Sequence, residues 1–269
     1  PTGADPIVLR STTSSFPDVT IPETQTVQLL TFSPSGSHLI TWSRYSSSPN
    51  LVVYSTISPT APILSFTQKN APSDRHSLSL NFSSSHLFRP QPNGTIAVHS
   101  LSDPSPAPLL RLELSSMPPK TELTIGITPH EFPSSTSVHI AAFAPGNKNS
   151  PSRIALYSLP LTSLTATSTP VPLTPVSTKS TFAADTCKFL FSPHSPSTLL
   201  SLLSTTMARD ANSYYGSSSL FLLSPPSITS VPQAKDGPLH DVAWTPRPSH
   251  SVGATPPPAL FITIAGTMP

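Results

Sequence analysis

LLTFSPSGSHLITWS, residues 29–43, runs from an apolar strand ending in an aromatic, through a small residue and a proline turn, into a second apolar strand. KFLFSPHSPSTLLSLLS (188–204) repeats that order, and DVAWTPRPSHSVGATPPPALFITIAG (241–266) repeats it with a longer insertion. LSLNFSSSHLFRPQPNGTIAVHS (78–100) is a weaker copy. HIAAFAPGNKNSPSRIALYS (139–158) adds another aromatic–small–proline element with its strand order shifted. The aromatic anchors Phe32, Phe82, Phe143, Phe191 and Trp244 lie 50, 61, 48 and 53 residues apart. Several repeats also end on a second apolar strand: NLVVYS (50–55), GTIAVHS (94–100), RIALYS (153–158) and SLFLLS (219–224). A period near 50 residues is that of a four-stranded propeller blade, whose apolar face is buried only by stacking on a neighbour.

The strand-like runs are 26–32, 38–43, 50–54, 62–66, 77–82, 86–89, 94–99, 108–113, 122–127, 137–143, 153–157, 186–191, 198–204, 218–223, 228–232, 240–244 and 259–265. Asn93-Gly94 between two of them is a hairpin signal. The expected fold is all-β: a WD40-like β-propeller with about five to six blades of a nine-bladed ring present. Residues 1–25 are read as an N-terminal extension or first strand. Residues 26–269 are read as blades of about 50 residues, incomplete at the C-terminus. The segments 103–120, 159–181 and 246–258 are rich in Ser, Thr and Pro and read as connections, with room for one edge strand in 159–181.

Composition supports β structure. The 269 residues include 36 prolines, which break helix interiors, so long helices are excluded. Charged residues are 10%, against about 25% in an ordinary soluble domain. A net charge of +2 is too small to imply nucleic-acid binding by itself. The single cysteine, Cys187, excludes an internal disulfide and a cysteine zinc cluster, and reads as a small buried hydrophobe. No apolar run reaches the roughly 20 residues that span a bilayer. The opening PTGADPIVLR has no initiator methionine and no leader pattern, which reads as a processed or partial chain.

Chemistry-bearing motifs are scarce. There is no Walker loop, dinucleotide fingerprint, metalloprotease helix or Gly-x-Ser-x-Gly elbow. The nine histidines show no ligand-like spacing and read as structural or solvent-facing, although distant ones could converge in the fold. His240-Asp241 is a conceivable dyad, but adjacent strand residues face opposite ways, which favours a structural strand leading to Trp244. Tyr214-Tyr215 could stack on a base or close a loop; without a basic surround the structural reading is preferred. The loop APGNKNSPSR (144–153) could touch a phosphate backbone through Lys148 and Arg153, or be a solvated turn.

Six elements in order resemble the N-terminal domain of the eukaryotic translation initiation factor 2A family. They are FSPSGSHLITW (32–42), FAPGNKNSPSRIALYSLP (143–160), STFAADTCKFLF (180–191), NSYYGSSSLFLL (212–223), KDGPLHDVAWTP (235–246) and FITIAGTMP (261–269). The family motif positions fall on Trp42, on Tyr214, Tyr215 and Gly216, and on Gly237, Pro238, Asp241 and Trp244. Subunit b of initiation factor 3 shares the Gly-Pro…Asp-Val…Trp style. The chain departs from the pattern at Ser217, where the family carries an acid, and in its poverty of Lys and Glu.

The resemblance implies a non-enzymatic, cytoplasmic translation initiation factor without cofactors. Its propeller platform would bind the small (40S) ribosomal subunit and assist delivery of initiator methionyl-tRNA. Initiator tRNA, mRNA and other initiation factors are the implied partners, with no membrane and no DNA. Lys148, Arg153, Lys188, Lys235 and Arg247 are the candidate ribosome or RNA contacts. The alternatives are a ribosome-bound scaffold like subunit b of initiation factor 3, or a generic WD40-like protein–protein module. Low net charge favours the generic module; clustering of Arg44, Lys148, Arg153, Lys188 and Arg247 would argue against it.

Overall fold

The computed structural model describes residues 7–10, 18–21, 27, 29–33, 35–43, 49–67, 81–83, 85–91, 93–119, 121, 123–128, 136–147, 149–191, 199–204, 208–209, 214–215, 218–232, 241–244 and 261–264. β1 (Ile7–Leu9) and β2 (Val19–Ile21) form an antiparallel pair. A four-stranded antiparallel sheet follows, with β3 (Leu29–Phe32), β4 (His38–Trp42), β5 (Leu51–Ser55) and β6 (Pro62–Phe66) adjacent in chain order. The next meander is β7 (Asn81–Phe82), β8 (His86–Pro90), β9 (Thr95–Ser100) and β10 (Leu110–Leu114).

Then come β11 (Thr124–Ile127), β12 (Ser137–Ala144), β13 (Arg153–Pro160), β14 (Val171–Leu173) and β15 (Pro175–Ser180). The third large sheet is β11-β12-β13-β15, and β14 is absent from it. β14 instead returns to the preceding sheet and pairs with β10 in parallel, Leu112 opposite Val171 and Leu114 opposite Leu173. The fourth large sheet is built from β16 (Thr186–Phe191) and β17 (Leu199–Ser204), joined by two later strands. A small hairpin, β18 (Ala208–Arg209) with β19 (Tyr214–Tyr215), intervenes before those strands, β20 (Ser218–Ser224) and β21 (Ser227–Val231). β22 (Asp241–Trp244) pairs with β23 (Phe261–Ile264).

The core is divided between these sheets in chain order. Strand residues alternate between faces, so neighbours in sequence join different clusters. Leu39, Val52 and Tyr54 pack with Ile21 of the first hairpin, whereas Ile40, Leu51, Val53 and Phe66 pack with Leu87 and Leu101 of the next sheet. Phe88, Val98 and Leu112 face Ile125, Ile140 and Tyr157, and Phe143, Ile154 and Leu156 face Cys187 and Phe221. Sandwiching explains why β5, β9 and β13 read as continuous apolar runs: they are covered on both sides. Close approach between sheets is enforced at Gly126 of β11, where an added Cβ would lie 2.6 Å from the Cβ of Phe189.

The all-β expectation is met, but the WD40-like propeller is corrected. The described strands form seven separate open sheets, none closed into a barrel or strongly curled, and they supply no closed ring. The count of five to six blades in a nine-bladed ring falls with it. A 50-residue spacing of aromatics is a spacing of hairpins. It specifies that meanders recur and carries no information about closure.

Each expected strand run overlaps an observed strand, whereas β1, β2, β18 and β19 fall outside those runs; at the Asn93-Gly94 turn Gly94 has φ +83° and its N–H donates to the Gln91 carbonyl at 3.0 Å. The segment 159–181 holds two strands, β14 and β15, rather than one.

Candidate functional site

Three histidines take structural positions through one local device. Ser33 follows β3, and its N–H donates to the His38 carbonyl at 2.8 Å while the His38 N–H donates to Ser33 Oγ at 3.0 Å. Ser83 and His86 make the same exchange at 2.9 and 3.1 Å, and Thr128 and His139 at 3.0 and 2.9 Å. Each hydroxyl satisfies a backbone donor at the mouth of the first hairpin of its sheet. The imidazoles of His38 and His86 then accept or donate at Nδ1 with Ser37 and Ser85 Oγ, at 2.9 and 2.8 Å. In all three cases the histidine backbone closes the hairpin.

Cys187 is buried, and burial pushes its thiol well up, so it sits as a small hydrophobe in the core cluster of Phe143 and Phe221. Among the described residues no three His, Cys, Asp or Glu side chains could together hold a metal ion. No helix among them is long and apolar enough to cross a membrane.

The most polar construction in the described interior lies on the face of the second large sheet turned toward the first. Arg89 of β8 and Arg111 of β10 both stand in register with Ala97 of β9, so the three side chains share a face. His99, two residues further along β9, lies on the same face. The Phe66 ring from the neighbouring sheet covers both groups: the Arg89 guanidinium carbon is 4.4 Å from its centroid and the His99 ring 4.6 Å from it. His99 is fully buried and donates from Nδ1 to the Ser105 carbonyl at 3.4 Å, while its Nε2 has no hydrogen-bond partner. Burial, with the Arg89 charge beside it, pushes His99 down to about 4, so the ring is neutral at pH 7. Burial, then the Arg111 charge, also lowers Arg89. Arg111 is exposed, and forms no ion pair with Asp103 or Glu113.

Of the contacts proposed from sequence, Arg153 and Lys188 are the two that fall on described residues, and they lie on strands of different sheets. Arg153 is exposed at the start of β13 and donates from Nη1 to the Ser116 carbonyl. That carbonyl belongs to a turn with positive φ, +71°, at Ser116. Tyr157 donates to the Ser115 carbonyl in the same turn at 2.8 Å, so Arg153 and Tyr157 tie two sheets together. Lys188 is half-buried on β16, in a different sheet. Lys148, Lys235, Arg247 and Arg44 lie outside the described residues, as do Gly216, Gly237 and Pro238.

Of the motif positions, Trp42 is a core residue, 8% exposed, packed with Leu51 and Phe66. Tyr214 and Tyr215 lie on a hairpin strand opposite Arg209 and Ala208, and Asp241 and Trp244 pair with Ile264 and Phe261. Arg89, His99 and Arg111 were not singled out from sequence. The signal was an arginine in each of two apolar strands, HLFRP and LRLEL, and only strand register brings them to one face.

Residues 179–254 match the family model described as Eukaryotic translation initiation factor eIF2A. Eukaryotic translation initiation factor 2A of Drosophila melanogaster is 27% identical over 97% of this chain and 38% of its own length. Its counterpart in Schizosaccharomyces pombe is 26% identical over 90% of this chain and 39% of its own length. The chain spans about two fifths of the length of these curated relatives. A solved structure described as the crystal structure of the eukaryotic initiation factor shares the fold. It superposes with a TM-score of 0.59 at 21% identity, over 90% of this chain and 53% of that one. The chain thus has distant homology to the eIF2A family and, through it, a link to translation.

Proposed function

We propose that this chain, a distant homologue of translation initiation factor 2A, is a non-catalytic platform of stacked β-sheets that docks on the small ribosomal subunit in the cytoplasm and assists delivery of initiator methionyl-tRNA. The observation that carries the reading is the match to the Drosophila factor along 97% of the chain. The structure adds a rigid set of sheets with separate exposed guanidinium groups, Arg111 and Arg153, at its surface. Such groups suit phosphate contacts, which position a protein on RNA without reading its sequence. A second reading, a protein-facing scaffold, is favoured by the small net charge of +2, a weak electrostatic footprint for RNA.

Sedimentation with purified small ribosomal subunits across roughly 50–300 mM salt separates the two, because phosphate contacts release counterions and weaken steeply over that range. The expected outcome is co-sedimentation that fades with salt and drops further in an Arg111→Gln, Arg153→Gln double variant. Salt-insensitive co-sedimentation unaffected by those changes would transfer the contact to ribosomal protein. A folded chain that never co-sediments would overturn docking by this chain.

A further inference from the structure

The connection from β9 to β10, LSDPSPAPL (101–109), has both ends fixed. Leu101 is buried between two sheets and donates its N–H to the Ser85 carbonyl at 2.9 Å, and the Leu109 N–H donates to the Val98 carbonyl at 2.8 Å. Between those anchors Ser102 through Ala107 are exposed and form no regular secondary structure. Prolines at 104, 106 and 108 hold the residues before them, Asp103, Ser105 and Ala107, toward extended backbone. An exposed, extended Ser-Pro dipeptide is the shape that a proline-directed protein kinase accepts.

Beneath this loop lies the cationic face already described. The Ser105 carbonyl contacts the His99 ring, and the Ser105 Oγ accepts from the Ala107 N–H at 3.3 Å on the exposed side. Arg89 and Arg111 flank Ala97 on adjacent strands, which places their Cα atoms within roughly 10 Å of each other at the ordinary strand spacing. The acids nearest in sequence, Asp103 in the loop and Glu113 on β10, leave Arg111 without an ion pair. The Ser105 carbonyl reaches His99, whose ring shares a face with Arg89 and the exposed Arg111, so a phosphate on Ser105 would need only to turn inward to meet two guanidinium groups.

We propose that Ser105 is a phosphorylation site and that its phosphate is held by Arg111 with Arg89, clamping the 101–109 connection onto the second large sheet. In the transfer, Ser105 Oγ attacks the γ-phosphorus of ATP bound to a proline-directed kinase. The Oγ–P bond forms, the bond from γ-phosphorus to the bridging oxygen breaks, ADP leaves, and the hydroxyl proton passes to the kinase base and solvent. The clamp neutralises a cationic patch and orders a loop in one step.

Two measurements on the whole chain test this without ribosomes. Incubation with ATP and a proline-directed kinase, followed by phosphosite mapping, should place phosphate on Ser105 and lose that site in Ser105→Ala. Failure to modify Ser105 while exposed Ser58, also followed by proline, is modified would overturn the site. Phosphoserine installed at 105 during synthesis should then be titrated by phosphorus NMR. An unconstrained phosphoserine loses its second proton near pH ~6. Held by two arginines, it should do so at least about half a pH unit lower in the folded protein than in the same protein in urea. Arg111→Gln should return part of that difference. Coincident folded and unfolded titrations would overturn the clamp, and that comparison needs no substitution.

Discussion

His99 is an imidazole buried between the Phe66 ring and the Arg89 guanidinium. Its folded value of about 4 lies below the ordinary 6.5 because burial and the Arg89 charge both oppose the protonated ring. The unfolded chain therefore takes up the proton first as pH falls. The stability contribution is intact above about 6.5 and is lost between 6.5 and 4. His38 and His139 are lowered by burial too and act in the same direction. His99→Phe should flatten the fall of the urea midpoint between pH 7 and 4, removing on the order of 2–3 kcal/mol of pH dependence. A slope unchanged by the substitution would assign the acid sensitivity elsewhere. None of this was legible in AVHS, residues 97–100. A histidine in a strand reads as half-exposed until its neighbours are known, and Phe66 and Arg89 come from other strands.

Elements were readable where local chemistry specifies them. Serine or threonine after an apolar strand, with histidine at or near the start of the next, marks the three hairpins closed by hydroxyl exchange. Thr128→Val keeps the shape and removes the oxygen of a buried side chain, leaving the half-buried His139 N–H without its 2.9 Å acceptor. A loss of about 1–3 kcal/mol is expected, read as a lower urea midpoint with an unchanged slope. Elements were unreadable where distant partners specify them. VPL (171–173) has too few residues and an internal proline, yet it forms β14. As an edge strand it tolerates Pro172, and the Leu173 carbonyl is gripped by the Ser115 N–H at 3.0 Å and Ser115 Oγ at 2.8 Å.

At the scale of the molecule, stacked apolar faces form the main contacts between the described sheets, and ion pairs add little. The described residues contain one ion pair, Arg10 with Asp18 at 3.1 Å, and it is exposed on both sides. Exposed pairs contribute little and are screened by salt. The melting temperature should therefore move by no more than about 2 °C between ~50 and ~500 mM sodium chloride, in contrast to the salt-sensitive ribosome binding proposed above. A large salt-dependent shift by calorimetry would reveal a charge network beyond the described strands. Meander repetition was legible at this scale because each hairpin carries its own turn residues; closure depends on how faces meet, which no window of sequence encodes.

The parallel return of β14 has a further consequence, for the order in which the chain can be finished. Ser115 waits for Leu173, 58 residues downstream, before the second large sheet is complete. At a synthesis rate of about 5–20 residues per second, the open flank of β10 faces the crowded surroundings of a nascent polypeptide for roughly 3–12 s. The third sheet is begun and nearly finished before the second is sealed. The two are sewn together like adjoining panels, and neither can be cut out, duplicated or exchanged as an independent cassette.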